Sequence, residues 1–253
     1  MPQVARSSVA AGRSGAAPGD LEKVRALVNS SDLEQGTDDL ATTGGLASWL
    51  QHHGLTAASD SAAFSRTDLE QAVALREALR GVLRTHAART GAGAVAGPAP
   101  AAEDPVTELR RIAAGLATRF EVNQDGRIGV APAGSGGPAA LARILLIAAT
   151  AAAAGTWSRL KACAADDCQW AFYDRSPTRT GCWCSMRVCG ARAKSRAYRQ
   201  RASGAGGSAP VSPAPVGPAP GGPAPGGSAP GGSAPVSPDA APTARSSHGR
   251  TAR

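Results

Sequence analysis

The chain has 253 residues with a formal net charge of +8, and only nine of them are aromatic against 42% hydrophobic overall, so a core built from helices packed through small side chains is expected. Its five cysteines are an odd number, and residues 1–19 contain no apolar stretch of leader type, which argues against a disulfide-stapled secreted scaffold and for a reduced compartment. The charge is uneven: residues 20–157 carry 12 basic and 15 acidic side chains, whereas residues 158–203 carry 10 basic and 3 acidic, so an acidic partner would be drawn to the second segment.

Residues 1–19 are small, polar and basic, and are expected to be a disordered tail. Residues 21–29 place Leu21, Val24, Leu27 and Val28 at helical spacing, and residues 30–39 read as a polar connector. Within 45–54, Leu46, Trp49 and Leu50 share one helix face and Gly54 is a suitable stop. His52 and His53 then sit where an imidazolium complements the helix dipole. Residues 67–89 give the clearest helix, with Leu69, Val73, Leu79, Val82, Leu83 and His86 on one side, Thr67-x-x-Glu70 as a capping box, and Glu77 paired with Arg80.

A Gly/Ala/Pro stretch, 90–102, reads as a flexible loop, and helical spacing resumes over 104–118. In 120–130, apolar residues alternate on both sides of Asp125-Gly126, the signal of a hairpin with a type I′ turn. Two strands alone are marginal, so this hairpin is expected to lie against the helices. Residues 138–160 are apolar almost to the length of a membrane span, but Arg143 interrupts the run and alanine dominates it, so a buried core helix is expected that continues directly into Cys163.

Four cysteines then form two pairs of equal spacing, Cys163-x4-Cys168 and Cys184-x4-Cys189. Each pair can reach one ion from a single tight turn, and four thiolates complete a tetrahedron, the donor set of a structural zinc site with no open position. Disulfides or free core thiols are the alternative use of the same residues. Between the pairs, residues 170–173 have the aromatic content of a short strand, with most of the rings needed as core and the remainder available for stacking on bases. Asp174 and Ser176 follow as turn or capping groups. Cys182, two positions from Cys184 and near Arg179, is a candidate reactive thiol that oxidation would join to a ligand sulfur.

From Ser185, a candidate N-cap, the chain reads as a helix on which Arg192, Arg196 and Arg199 form one stripe and Lys194 and Arg201 a second. With Arg187 these six cations are the candidate nucleic-acid contacts; the alternative is a well-solvated face. Tyr198 is expected to anchor the helix to the aromatic strand. Residues 204–253 contain a Pro/Ala/Gly/Ser repeat with almost no large apolar side chain and are expected to be a disordered tail.

Cys163, Cys168, Trp170-Ala171-Phe172-Tyr173-Asp174-Arg175-Ser176 and Trp183-Cys184-Ser185-Met186-x-x-Cys189-Gly190-x-Arg192-x-Lys194 closely resemble the CGNR zinc finger. Ala191 stands where that family has its name-giving Asn, and Cys182 where a basic residue is common. Leu27-Val28-Asn29-Ser30, Asp39-Leu40, Trp49-Leu50 and Leu75-Arg76-Glu77-Ala78-Leu79-Arg80 are similar to the ABATE domain, which precedes that finger in bacterial stress-induced transcription regulators. Asn29 is either a site residue of that family or a helix C-cap.

The resemblance implies a mainly α (α+β) protein: a helical N-terminal domain with one β-hairpin over 20–157, then a small four-cysteine zinc finger over 158–203. It implies one structural Zn2+, DNA as partner, and a small-molecule or protein partner, or a second copy in a homodimer, through the N-terminal domain. A cytoplasmic, nucleoid-associated location is expected and no membrane partner. The alternative is a protein- or RNA-interaction module. With no Ser/His/Asp or Cys/His set, no phosphate-cradling glycine loop before a helix and a closed metal site, no enzymatic activity is expected.

Overall fold

The computed structural model describes residues 15–56, 64–89 and 104–204; the expected linker at 90–102 and the Pro/Gly-rich segment after residue 204 lie outside them. All the described residues belong to one compact unit. Among the described residues six α-helices and three two-stranded sheets follow one another: α1 Leu21–Val28, β1 Ser31–Asp32, β2 Thr37–Asp38, α2 Thr43–His52, α3 Arg66–Ala88, α4 Pro105–Ala114, β3 Thr118–Val122, β4 Ile128–Pro132, α5 Gly136–Ala153, β5 Leu160–Ala162, β6 Ala171–Tyr173 and α6 Ala191–Gly204. Each sheet pairs sequence neighbours in antiparallel fashion, β1 with β2, β3 with β4, and β5 with β6.

The central element is α3. Leu75, Leu79 and Leu83 recur every four residues and are fully buried against Val24, Leu27 and Val28 of α1, Leu46 and Leu50 of α2, and Leu141 and Ile144 of α5. Burying one such side chain contributes about 1.5–3 kcal/mol, so this cluster dominates the stability of the unit. Its N-terminus is capped by Ser65, whose Oγ accepts from Asp68 N–H at 3.2 Å while Asp68 Oδ2 accepts from Ser65 N–H at 2.8 Å. The capping box thus lies two residues before the predicted Thr67/Glu70. Where α3 meets α4, Gly81 admits the ring of Pro105: a Cβ there would lie 2.5 Å from it.

The apolar stripe read from the sequence omits Leu75 and the small Ala72, Ala78 and Ala87, all of which the fold buries, and it omits two buried charged residues as well. Arg76 and Arg80 face inward from α3. Arg76 donates to Asp38 Oδ1 at 2.7 Å and Arg80 to the carbonyls of Val28 at 2.8 Å and Ser31 at 3.3 Å, and both bond to Glu77. The predicted Glu77–Arg80 pair is present at 3.0 Å. Buried guanidinium groups are tolerated where their N–H groups find oxygens, supplied here by Glu77 of α3, by Val28, Ser30, Ser31 and Asp38, and by Gln169.

Four further expectations change. Residues 15–19, predicted to be tail, dock on the body: Ala17 is buried, its N–H donates to Glu22 Oε2 at 2.7 Å, and Gly15 accepts from Tyr173 N–H at 2.9 Å. Gly15 has φ +101°, and a Cβ there would stand 2.8 Å from the Tyr173 carbonyl oxygen. His53 packs its ring on Trp49 with centroids 4.2 Å apart, and burial, with His52 adding to it, lowers its pKa, which disfavours the cation that the helix dipole would favour.

The long apolar helix ends at Ala153 instead of running into Cys163; a 3-10 turn, Trp157–Arg159, and strand β5 intervene. By length and composition α5 meets the criteria for a membrane span, with mean hydropathy 1.5, and one side of it, including Leu141 and Ile144, is packed in the core. Finally, the β3–β4 hairpin turns through Asn123–Gly126 with Gly126 at φ +72°, and Gly126 N–H donates to Asn123 C=O at 3.0 Å. A three-residue loop closed by a left-handed glycine replaces the predicted type I′ turn. The hairpin meets α5 only at its base, where Pro132 is buried; β3 is exposed throughout.

Candidate metal centre and basic helix

The cysteine module starts from the β5–β6 pair, in which Leu160, Lys161 and Ala162 face Tyr173, Phe172 and Ala171. Leu160, Ala162, Ala171 and Tyr173 belong to the main core of the helical body, while Phe172 turns to the cysteines. Strand alternation explains the split: successive side chains point to opposite faces, so one face of this small sheet completes the body and the other covers the thiols.

Cys163 leaves β5 and Cys168 enters β6 through a tight turn, in which Cys163 N–H donates to Trp170 C=O and Cys168 N–H to Ala165 C=O, both at 3.0 Å. Gln169 completes the turn at φ +49°. Cys184 comes from the loop after β6, and Cys189 from a π-helical turn, Met186–Gly190, in which Gly190 N–H reaches Ser185 C=O at 3.0 Å. Ser185 occupies the predicted N-cap position, though without a side-chain capping bond, and the wider turn carries Cys189 back toward Cys184 before α6 begins.

All four cysteines are buried and unbridged, and their sulfur atoms lie within 4.8 Å of one another. Cys168 and Cys184 Sγ are 3.6 Å apart, and Cys184 and Cys189 Sγ 3.7 Å. A tetrahedron with Zn–S distances of about 2.3 Å sets its sulfurs about 3.8 Å apart, whereas a disulfide needs about 2 Å. Cys163, Cys168, Cys184 and Cys189 therefore fit one zinc ion with four thiolates. Without a cation, thiols this close share protons. Donation from Cys168 and Cys184 holds Cys163 far below an ordinary thiol, hydrogen bonding to Cys163 and Cys168 pushes Cys184 up, and burial raises Cys189 to about 12. A divalent cation removes that conflict by stabilising all four as thiolates. Trp170 and Trp183 pack against the cluster.

Polar contacts of two buried or half-buried side chains, Lys161 and Asn29, hold the module to itself and to the body. Lys161 is fully buried, and its Nζ reaches Asp174 Oδ2 at 2.8 Å, Arg179 C=O at 2.5 Å and Gly181 C=O at 3.0 Å. Asp174 acts as the predicted turn group, accepting from Ser176 N–H at 2.9 Å and Gly181 N–H at 2.8 Å. Burial alone would raise its pKa, but Lys161 and these hydrogen bonds outweigh it and hold the carboxyl at about 2. The second contact is Asn29, which occupies the C-cap of α1 and whose carboxamide joins β6 at Ala171.

The surroundings of Cys182 disfavour the reactive thiol that its position suggests. It is buried beside Ala87 and Ala164, and burial, followed by the nearby Cys163, raises its pKa, both of which oppose thiolate formation.

The six predicted cations all lie exposed on the π turn and α6. Arg187, Arg192, Arg196 and Arg199 converge along one side, lining with Val188 and Ser195 a surface groove of about 560 Å3. Lys194 and Arg201 lie outside the groove. Arg192 is bridged to Glu34 of the β1–β2 loop at 2.8 Å. Tyr198 is exposed and does not anchor the helix to β6. Ala191, in the place of the family's Asn, is exposed at the first position of α6.

Two family models match the chain and meet end to end. One, described as "Putative stress-induced transcription regulator" and called ABATE, covers residues 10–158, and the other, described as "CGNR zinc finger", covers residues 159–202. Comparison with curated proteins finds no match.

Proposed function

Because this chain belongs to the ABATE family of transcription regulators and carries a CGNR zinc finger, we propose that it binds duplex DNA through the basic side of α6, in the cytoplasm at the nucleoid. The observation that carries this reading is the convergence of Arg187, Arg192, Arg196 and Arg199 on one groove of a helix held by the four-sulfur site. Each guanidinium offers a planar fork of donors suited to phosphate oxygens, and a helix of this kind fits the width of the major groove. Phosphate contacts supply affinity and position; base edges in the same groove are within the reach of Arg side chains, which pair readily with guanine. In this reading the zinc has a structural role, since four sulfurs fill its coordination sphere, and the protein is a binding protein and not an enzyme.

The test is the salt dependence of binding to duplex DNA. Counterion release gives a slope of about −0.9 in log K against log salt for each phosphate neutralised, so Arg196→Ala/Arg199→Ala should bind more weakly and flatten the slope by about two. The double variant must still contain one zinc per chain. An unchanged affinity and slope in zinc-loaded double variant would remove α6 from the interaction and leave RNA or an acidic protein surface as the partner class to examine.

A further inference from the structure

The β3–β4 hairpin carries its apolar side uncovered. Its register sets Phe120 opposite Val130 and Val122 opposite Ile128, which puts all four on one face. Phe120 is 80% exposed, Ile128 74%, Val122 67% and Val130 48%. The other face carries Arg119 and Glu121, paired with each other at 2.7 Å. This is the alternation of a strand with one face buried and one in water, yet within the described residues the face built for burial is the one left open. Four of the nine exposed large hydrophobic residues of the described chain are gathered on it.

We propose that a second copy of this chain covers the face: two hairpins pack face to face about a two-fold axis, with Phe120/Val130 and Val122/Ile128 of one copy lying on the same pairs of the other. An isologous contact requires a patch that is its own partner. An uncharged apolar face meets that condition, whereas the basic groove of α6 repels its own copy. The area is also adequate. A phenylalanine presents about 150–250 Å2, and together with three aliphatic side chains on each copy the total comes to on the order of 1,000 Å2, where specific interfaces begin.

The patch does not stop at the hairpin. Val130 and Pro132 also line a crevice of about 510 Å3 together with Leu146 and Ile147 of α5, Leu21 of α1, and the polar Asp20, Arg143 and Thr150. An aromatic ring fits such a space, so Phe120 of one copy has a seat beside Val130 of the other and serves as the anchor of the contact. The contact also supplies what a two-stranded ladder lacks on its own, a surface to pack against.

Sedimentation velocity and light scattering on the full-length, zinc-loaded chain test this independently of nucleic acid. The expected result is a particle of twice the 25.2 kDa chain mass at concentrations of tens of micromolar. Phe120→Ser/Ile128→Ser should weaken self-association at least tenfold while keeping the zinc content and far-UV dichroism of the parent. Val122→Lys, which leaves the ladder intact and sets like charges across the axis, should do the same, so that a loosened hairpin in the double variant is not mistaken for a lost contact. Backbone amides of residues 118–132 should also gain protection from exchange as wild-type concentration rises. A wild-type chain that stays monomeric at about 100 μM would overturn the proposal, leaving a small apolar ligand or a different protein as the occupant. So would variants that associate as tightly as the parent.

Discussion

Asn29 at the end of α1 bonds to Ala171 of β6 as a neighbouring strand would: its Oδ1 accepts the Ala171 N–H at 2.7 Å and its Nδ2 donates to the Ala171 carbonyl at 2.9 Å. A carboxamide carries one donor side and one acceptor side, as a peptide group does, so a single side chain extends the β5–β6 sheet by one rung. Arg80 of α3 adds a bond to Gln169 C=O at 3.3 Å, and His86 one to Leu160 C=O at 2.9 Å. The cysteine module is thereby fixed to the helical body by polar side chains that reach backbone atoms.

Asn29→Ala removes both bonds and strands two backbone groups of a buried residue. A net loss of about 1 kcal/mol per bond, plus desolvation of the unpaired groups, predicts about 2–4 kcal/mol of destabilisation in urea unfolding at constant zinc. Asn29→Asp keeps the acceptor but turns a second oxygen on the Ala171 carbonyl, and should cost at least as much. A loss under about 0.5 kcal/mol for both would show that the pair carries no weight.

Lys161→Met is expected to be more damaging than its conservative shape suggests. It leaves Asp174 charged and buried without its cation, a loss of about 3–5 kcal/mol for one broken partner of a buried pair. Asp174→Asn in the same chain should recover part of that loss, since the uncompensated charge goes too. Additive effects in the double-mutant cycle would contradict the coupling seen in the geometry.

Removal of zinc should be visible in fluorescence. Trp170 and Trp183 pack on the cysteine cluster, whereas Trp49 and Trp157 pack on the body core. Structural zinc supplies about 10–16 kcal/mol of apparent binding energy to small fingers, far more than the few contacts here replace. A strong chelator should therefore red-shift the emission of the first two tryptophans, lower the melting temperature, and release one zinc per chain, all reversibly. Emission and melting that ignore the chelator would remove zinc from the account of the fold.

His86 gives the expected pH dependence. Burial, with Arg89 and Lys161 nearby, lowers its pKa against the opposing effect of the bond to Leu160, so the folded imidazole is harder to protonate than the unfolded one at 6.5. The unfolded chain then binds more protons, and stability present above about 6.5 is lost as pH falls toward the lower folded value. Between about pH 7.5 and 5.5 the zinc-loaded parent should lose more melting temperature than zinc-loaded His86→Gln. Equal losses would assign the acid sensitivity elsewhere.

The metal site was legible in the sequence because its requirement is local: two pairs of thiols at matched spacing, each able to close one turn. The period of α3 was legible for the same reason. What could not be read were contacts whose partners lie far along the chain. Arg76, Arg80 and Lys161 are residue types that ordinarily face water, and only the fold supplies the Asp38 carboxylate that meets Arg76 and the carbonyls of positions 28, 31, 179 and 181 that meet Arg80 and Lys161. The capping box was misplaced by two residues because Ser65/Asp68 and Thr67/Glu70 satisfy the same pattern. The hairpin was recognised and its exposure was not, since alternation marks a face meant for burial without saying which surface covers it.

The boundary between the two family matches, after residue 158, falls one residue before the end of a short turn that leads into β5, and the strands beyond it place Leu160, Ala162, Ala171 and Tyr173 in the core of the preceding domain. Two stretches that are distinct in inheritance are thus a single object in folding. The finger is not a cassette to be excised and grafted onto another carrier: severed at that seam, each fragment would present to water the surface that the other had kept dry.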